Sequence, residues 1–86
     1  MRRKTERERQ FYGEIGRQLT YWREARGVKR QELAKAAGIK VVTMGRYERG
    51  QAAIPLLPLL RCAAALRVTF ADLVGPATQK RPTYQN

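Results

Sequence analysis

The stretch from Gly38 to Gly50 constrains the fold most. A glycine stands at each end, and glycine is where a backbone turns or a helix stops. Between them, Val41-Val42-Thr43-Met44-Gly45-Arg46-Tyr47-Glu48-Arg49 has the length of one short helix. A helix advances roughly 100° per residue. On that wheel Val41, Val42, Gly45, Arg46 and Arg49 share one face, Met44 and Tyr47 fall on the other, and Glu48 sits at the border. Large apolar groups therefore turn inward, while small, apolar and cationic groups turn outward. Exposed valines flanked by arginines suit a groove wall better than bulk water. The alternative is a surface helix with two stray valines, and the rest of the chain decides between them.

On the N-terminal side, Ile15, Leu19, Trp22 and Ala25/Arg26 recur at i, i+4, i+7 and i+11, an amphipathic helix closed by Gly27. Lys29 to Ala37 predicts a second helix with Leu33, Ala34 and Ala37 inward, ended by Gly38. Two short helices joined by about three residues have helix-turn-helix spacing. Beyond a loop at 51–54, Pro55 and Pro58 bracket the start of a fourth helix, and proline is tolerated in a first turn. Its inner face is Leu59, Cys62/Ala63 and Leu66. Thr69-Phe70-Ala71-Asp72 resembles a capping box and opens a fifth helix holding Phe70 and Leu73, which Gly75-Pro76 is expected to stop. The fold class is all-α. Residues 1–13 read as a basic N-terminal arm, 14–75 as the helix-turn-helix domain and 76–86 as a flexible tail. Thr5-x-x-Glu8 has capping spacing and favours a helix start inside the arm, but Gly13 and Gly16 argue against a rigid continuous helix.

Eighteen Lys and Arg against seven Asp and Glu give a net charge of +11. Such a balance points to a polyanion, nucleic acid before an anionic membrane surface. The 43% hydrophobic content is too high for a disordered basic tail. The longest apolar run, Ala52 to Leu60, is broken by two prolines and is too short to span a bilayer. No apolar segment follows the charged N-terminus, so the expected location is cytoplasmic. Cys62 is the single cysteine, which excludes an internal disulfide and suits a small buried hydrophobe. There is no histidine, no glycine-rich phosphate loop and no paired-carboxylate constellation. The expectation is a protein that is not an enzyme, with no metal and no cofactor.

With these residues in place, Ile15 to Leu73 resembles the phage-repressor and Cro type of helix-turn-helix domain, the XRE-like family. The matching positions are Ile15-Gly16, Leu19, Trp22-Arg23, Gly27-Val28, Leu33-Ala34, Gly38-Ile39, Tyr47-Glu48, Gly50, Pro55, Leu59, Ala63, Leu66, Val68 and Leu73. The resemblance implies a compact five-helix repressor-like domain whose second and third helices form the DNA-reading unit. It also implies an ion pair between Arg23 and Glu48 that joins helix one to helix three. The chain departs from the family in three places. Lys29 and Arg30 stand where Ser or Thr followed by Gln often opens helix two. Val41 and Val42 replace polar readers, and Gly45 sits mid-helix, where it costs roughly 1 kcal/mol relative to Ala but permits close approach of backbone to DNA.

The expected function is sequence-specific binding of double-stranded DNA by a transcriptional regulator, a repressor, with helix 41–49 in the major groove. Val41, Val42 and Arg46 are the expected base readers. Arg30, Gln31, Lys40, Thr43, Arg49 and Gln51 are the expected phosphate contacts, and Arg2, Arg3 and Lys4 an arm reaching around the duplex or into a neighbouring minor groove. The family habit implies a homodimer on a pseudo-palindromic operator, with the dimer surface around Phe70 to Val74. The alternative is an antitoxin that binds its operator and grips a toxin partner through the tail after Pro76. An RNA-binding module of coactivator type and a basic membrane-surface protein are the other classes; the second is disfavoured because the core consumes the apolar faces.

Overall fold

The computed structural model describes residues 5–79. Among them are five helices and no strand: α1 (Glu6–Ala25), α2 (Arg30–Ala37), α3 (Val41–Glu48), α4 (Leu56–Leu66) and α5 (Phe70–Gln79). They pack as one body in which α1 lies against α3 and α5, while α2 lies against α3 and α4. The core is formed by Ile15 and Leu19 of α1, Leu33, Ala34 and Ala37 of α2, Met44 of α3, Leu59, Cys62, Ala63 and Leu66 of α4, and Leu73 and Ala77 of α5. No helix of the described residues is long and apolar enough to cross a membrane.

The first helix begins inside the segment expected to be an arm. Thr5 Oγ1 accepts from the Glu8 amide at 3.1 Å, and Glu8 Oε1 accepts from the Thr5 amide at 2.8 Å. This reciprocal cap satisfies two amides that a helix start otherwise leaves open. Residues 6–13 are therefore helical and continuous with the rest of α1, and the arm expected over 1–13 is corrected to that extent. Residues 1–4 lie outside the described residues.

Gly13 and Gly16 do not interrupt α1; tertiary contact explains their presence. A β-carbon on Gly16 would strike the Glu48 carbonyl and lie 2.5 Å from that of Tyr47. Gly16 thus lets α1 cross directly over the end of α3. Gly50, at φ +72°, passes so close that its β-carbon would stand 2.6 Å from Gly13 Cα. The glycines set the depth at which the third helix seats on the first.

The turn between α2 and α3 follows from Gly38, left-handed at φ 76°. Its amide donates to Lys35 O and that of Ile39 to Ala34 O, which closes the carbonyls at the end of α2 and redirects the chain within three residues. At the start of α2, Glu32 Oε1 accepts from the Lys29 amide at 2.8 Å, a half-box that partly replaces the missing Ser or Thr.

The last helix also differs from expectation. Thr69 and Asp72 cap α5 reciprocally, at 3.0 and 2.8 Å. Gly75-Pro76 does not stop it: α5 runs to Gln79 with Pro76 inside. Proline removes one helical hydrogen bond. The turn beyond it is held by the burial of Ala77 in the core and by Thr78 Oγ1, which donates to Gly75 O at 2.8 Å. Residues 76–79 of the expected tail are therefore helical, and residues 80–86, the rest of it, lie outside the described residues.

Candidate nucleic-acid interface

The third helix is 8 residues long and stands on Met44, which is fully buried, and on Glu48. Tyr47, half-buried, packs against the same core. Val41 and Val42 face outward at 48% and 64% exposure, large values for valine. Arg46 is exposed one turn beyond Val42, Lys40 is the exposed N-cap, and Thr43 is half-buried. Arg49, the C-cap residue, is exposed as well.

Gly45 is not part of that outer face. It is buried, and a β-carbon there would lie 3.1 Å from Arg49 Nη1. The Arg49 guanidinium folds back over the glycine. The wheel placed Gly45 outward by angle alone; a long side chain from the next turn covers it, so its backbone is not open for close approach.

Behind α3 two arginines meet one buried carboxylate, and the exposed Glu24 carboxylate stands 3.9 Å from Arg23 at the edge. The Glu48 side chain is 3% exposed, and its carboxylate accepts from Arg23 Nε at 2.7 Å and from Arg23 Nη2 at 3.4 Å. Arg23 Nη1 also donates to Val28 O at 3.1 Å. Arg30 Nε donates to the same carboxylate at 2.9 Å, from a side chain 45% exposed. One buried anion thus joins α1, the start of α2 and the end of α3. The resemblance implied the first arginine but not the second. Arg30 and Glu48 are 18 positions apart, so no helical spacing advertises their meeting.

Gln31 is exposed beside Arg30, and Gln51 is exposed just past α3. Val41, Val42, Arg46, Lys40 and Arg49 are therefore brought together on α3 and its ends, and Arg30 and Gln31 stand at the start of α2. Arg2, Arg3 and Lys4 fall outside the described residues.

Two polar arrangements were not foreseen. Glu14 is buried to 5% exposure and accepts from Arg17 Nη2 at 2.6 Å and Gln18 Nε2 at 3.2 Å; the i, i+3 and i+4 spacing was the available signal. Arg26 lies over the Trp22 ring at 5.2 Å and donates from Nε to Leu66 O at 2.8 Å, tying the end of α1 to the end of α4. Cys62 is fully buried. Burial first, and the Glu48 charge second, push its thiol up to about 12, which removes it as a nucleophile near neutral pH. Among the described residues no group of His, Cys, Asp and Glu could hold a metal ion.

A family model described as a helix-turn-helix domain matches residues 14–74. No curated protein matches the chain. Solved structures do. The restriction-modification controller protein C.AhdI from Aeromonas hydrophila is 31% identical with a TM-score of 0.69, over 72% of this chain and 94% of its own. The clp gene regulator ClgR from Corynebacterium glutamicum is 26% identical with a TM-score of 0.75, over 80% of this chain and 73% of its own. An HTH_3 family transcriptional regulator from Vibrio cholerae is 25% identical with a TM-score of 0.72, over 84% of this chain but 40% of its own. With the family match spanning both helices of the turn and the supporting core, the chain belongs to the helix-turn-helix family, in its phage-repressor and Cro-type (XRE-like) branch of DNA-binding regulators.

Proposed function

We propose that the protein is a repressor that binds a pseudo-palindromic operator as a homodimer, with α3 in the major groove. The observation that carries this is the outer face of α3: Val41, Val42 and Arg46 stand exposed on a helix whose other side is locked by Met44 and Glu48. The major groove admits an α-helix. The valines offer apolar contact to thymine methyls, and Arg46 offers a two-pronged donor to a guanine edge. Lys40 and Arg49 at the helix ends, Thr43 on its flank, Gln51 past it, and Arg30 with Gln31 at the start of α2 supply phosphate contacts that set the register. A net charge of +11 supplies the sequence-independent attraction.

Selection of bound duplexes from a random pool tests the reading. The expected result is a two-fold related pair of half-sites. Arg46→Ala then relaxes the preference at one base pair per half-site, at about 1–3 kcal/mol of discrimination. Equal loss of affinity for every sequence would make Arg46 a phosphate contact instead. Recovery of no common motif would remove the operator reading.

A further inference from the structure

The buried carboxylate behind α3 holds two guanidiniums. Arg23 gives Glu48 two hydrogen bonds from a side chain 11% exposed. Arg30 adds a third bond through Nε at 2.9 Å, from a side chain that is far more open to solvent. Guanidinium is a rigid planar fork, so fixing Nε on Glu48 fixes the direction of the whole plane. Its two Nη groups have no other partner among the described residues, and the side chain is 45% exposed.

We propose that Glu48 is a positioning residue for Arg30: it holds the guanidinium so that the two Nη groups meet one DNA phosphate. That phosphate, Arg30, Glu48 and Arg23 then form one chain of charge-assisted bonds from the duplex backbone to α1. This rests on the DNA-binding reading above. A phosphate seated on Arg30 ties the register on the duplex to the end of the reading helix. Arg30 is therefore distinct from a freely moving surface cation, which contributes charge but no direction.

Lysine separates the two roles. Arg30→Lys keeps the charge, but an ammonium is a point charge on a flexible stem and has no second edge to aim. Fluorescence anisotropy with a labelled mixed-sequence DNA duplex reads the affinity, across a salt titration, for the wild type, Arg30→Lys, Arg30→Ala, Glu48→Gln and the Arg30→Ala/Glu48→Gln double variant. Arg30→Lys is expected to lose roughly tenfold, the scale of one charge-assisted hydrogen bond, with the salt slope of the wild type. Arg30→Ala loses at least as much and lowers the slope by about one per subunit. Glu48→Gln weakens binding when Arg30 is present and adds little when it is absent. Thermal unfolding run in parallel shows whether Glu48→Gln folds; if it does not, the Lys comparison decides alone. Arg30→Lys binding as well as the wild type, or Glu48→Gln costing the same factor in both backgrounds, overturns the positioning role. A wild type with no salt-dependent affinity for duplex DNA overturns the DNA-binding reading itself, a different outcome from either.

Discussion

Arg23 donates two hydrogen bonds to Glu48 in a setting where neither has much water: the Glu48 and Arg23 side chains are 3% and 11% exposed. Removing one partner leaves the other uncompensated. Arg23→Ala is expected to lower stability by about 3–5 kcal/mol, reduced by whatever Arg30 retains of the carboxylate. Arg23→Ala/Glu48→Ala should cost less than the two single changes summed, because no buried charge then remains unpaired. Urea unfolding of the four proteins measures this, and simple additivity would show the pair carries no coupling. Cys62 gives a second test. Its thiol is raised from 9.0 to about 12, so above pH 9 the unfolded chain ionises while the folded one does not. Stability is therefore full below pH 9 and falls as pH rises toward 12. Cys62→Ala should flatten part of that fall, seen in unfolding midpoints between pH 8 and 11 (about the range where the unfolded thiol titrates). At this scale the sequence resolved residue types facing in or out, as with Met44 and Val42. It did not resolve Arg30 on Glu48, because a long cation at a helix start reads equally well toward a phosphate or toward a carboxylate.

Glycine has two meanings within these helices, and single substitutions separate them. At Gly16 the neighbours are carbonyl oxygens of Glu48 and Tyr47, which belong to backbone and cannot step aside. Gly16→Ala must push α1 off α3, and a loss of about 2 kcal/mol or more is expected despite the better helix propensity of alanine. At Gly45 the neighbour is the far end of Arg49, 3.1 Å away and flexible. Gly45→Ala should raise stability by up to about 1 kcal/mol, since the guanidinium moves by a few tenths of an ångström. Thermal unfolding of both variants should give midpoint shifts of opposite sign; a fall for Gly45→Ala would mean that Arg49 is anchored on the glycine. Capping signals such as Thr5 with Glu8 and Thr69 with Asp72 were legible because they are local, as was the left-handed stop at Gly38. Gly13, Gly16 and Pro76 read as breakers from spacing alone. Gly16 is explained by the end of α3, Gly13 by Gly50 just past it, and Pro76 by the burial of Ala77 and the Thr78 bond within α5; helical spacing records none of these.

For the whole molecule, the family pattern over Ile15 to Leu73 made the five-helix plan legible, whereas association depends on surfaces that no internal packing rule specifies. Several large apolar side chains remain outside the core: Leu56 at 62%, Leu57 at 54% and Leu60 at 43% on α4, and Phe70 at 40% at the start of α5. The proposed homodimer gives this surface an occupant, a second copy. Opposing that contact is a net charge of +11 on each chain, in a body 41 × 30 × 19 Å across. Repulsion at that scale is felt strongly at low salt and is cut back once the screening length falls to about 8 Å near physiological ionic strength. DNA removes the same repulsion by neutralising the copies it holds. Salt should therefore act in opposite directions on the two equilibria. Sedimentation equilibrium without DNA is expected to show the mass rising toward a dimer as salt increases. Duplex affinity should fall on the order of a thousandfold from low to physiological salt if about six phosphates are contacted per dimer. Phe70→Glu tests the contact itself: a carboxylate in the first turn of α5 favours that helix end, so folding is preserved while the apolar face is broken. The variant should remain monomeric at every salt and bind operator DNA more weakly. A Phe70→Glu protein that dimerises like the wild type would move the interface away from the start of α5, and a mass independent of salt would show that charge does not govern association.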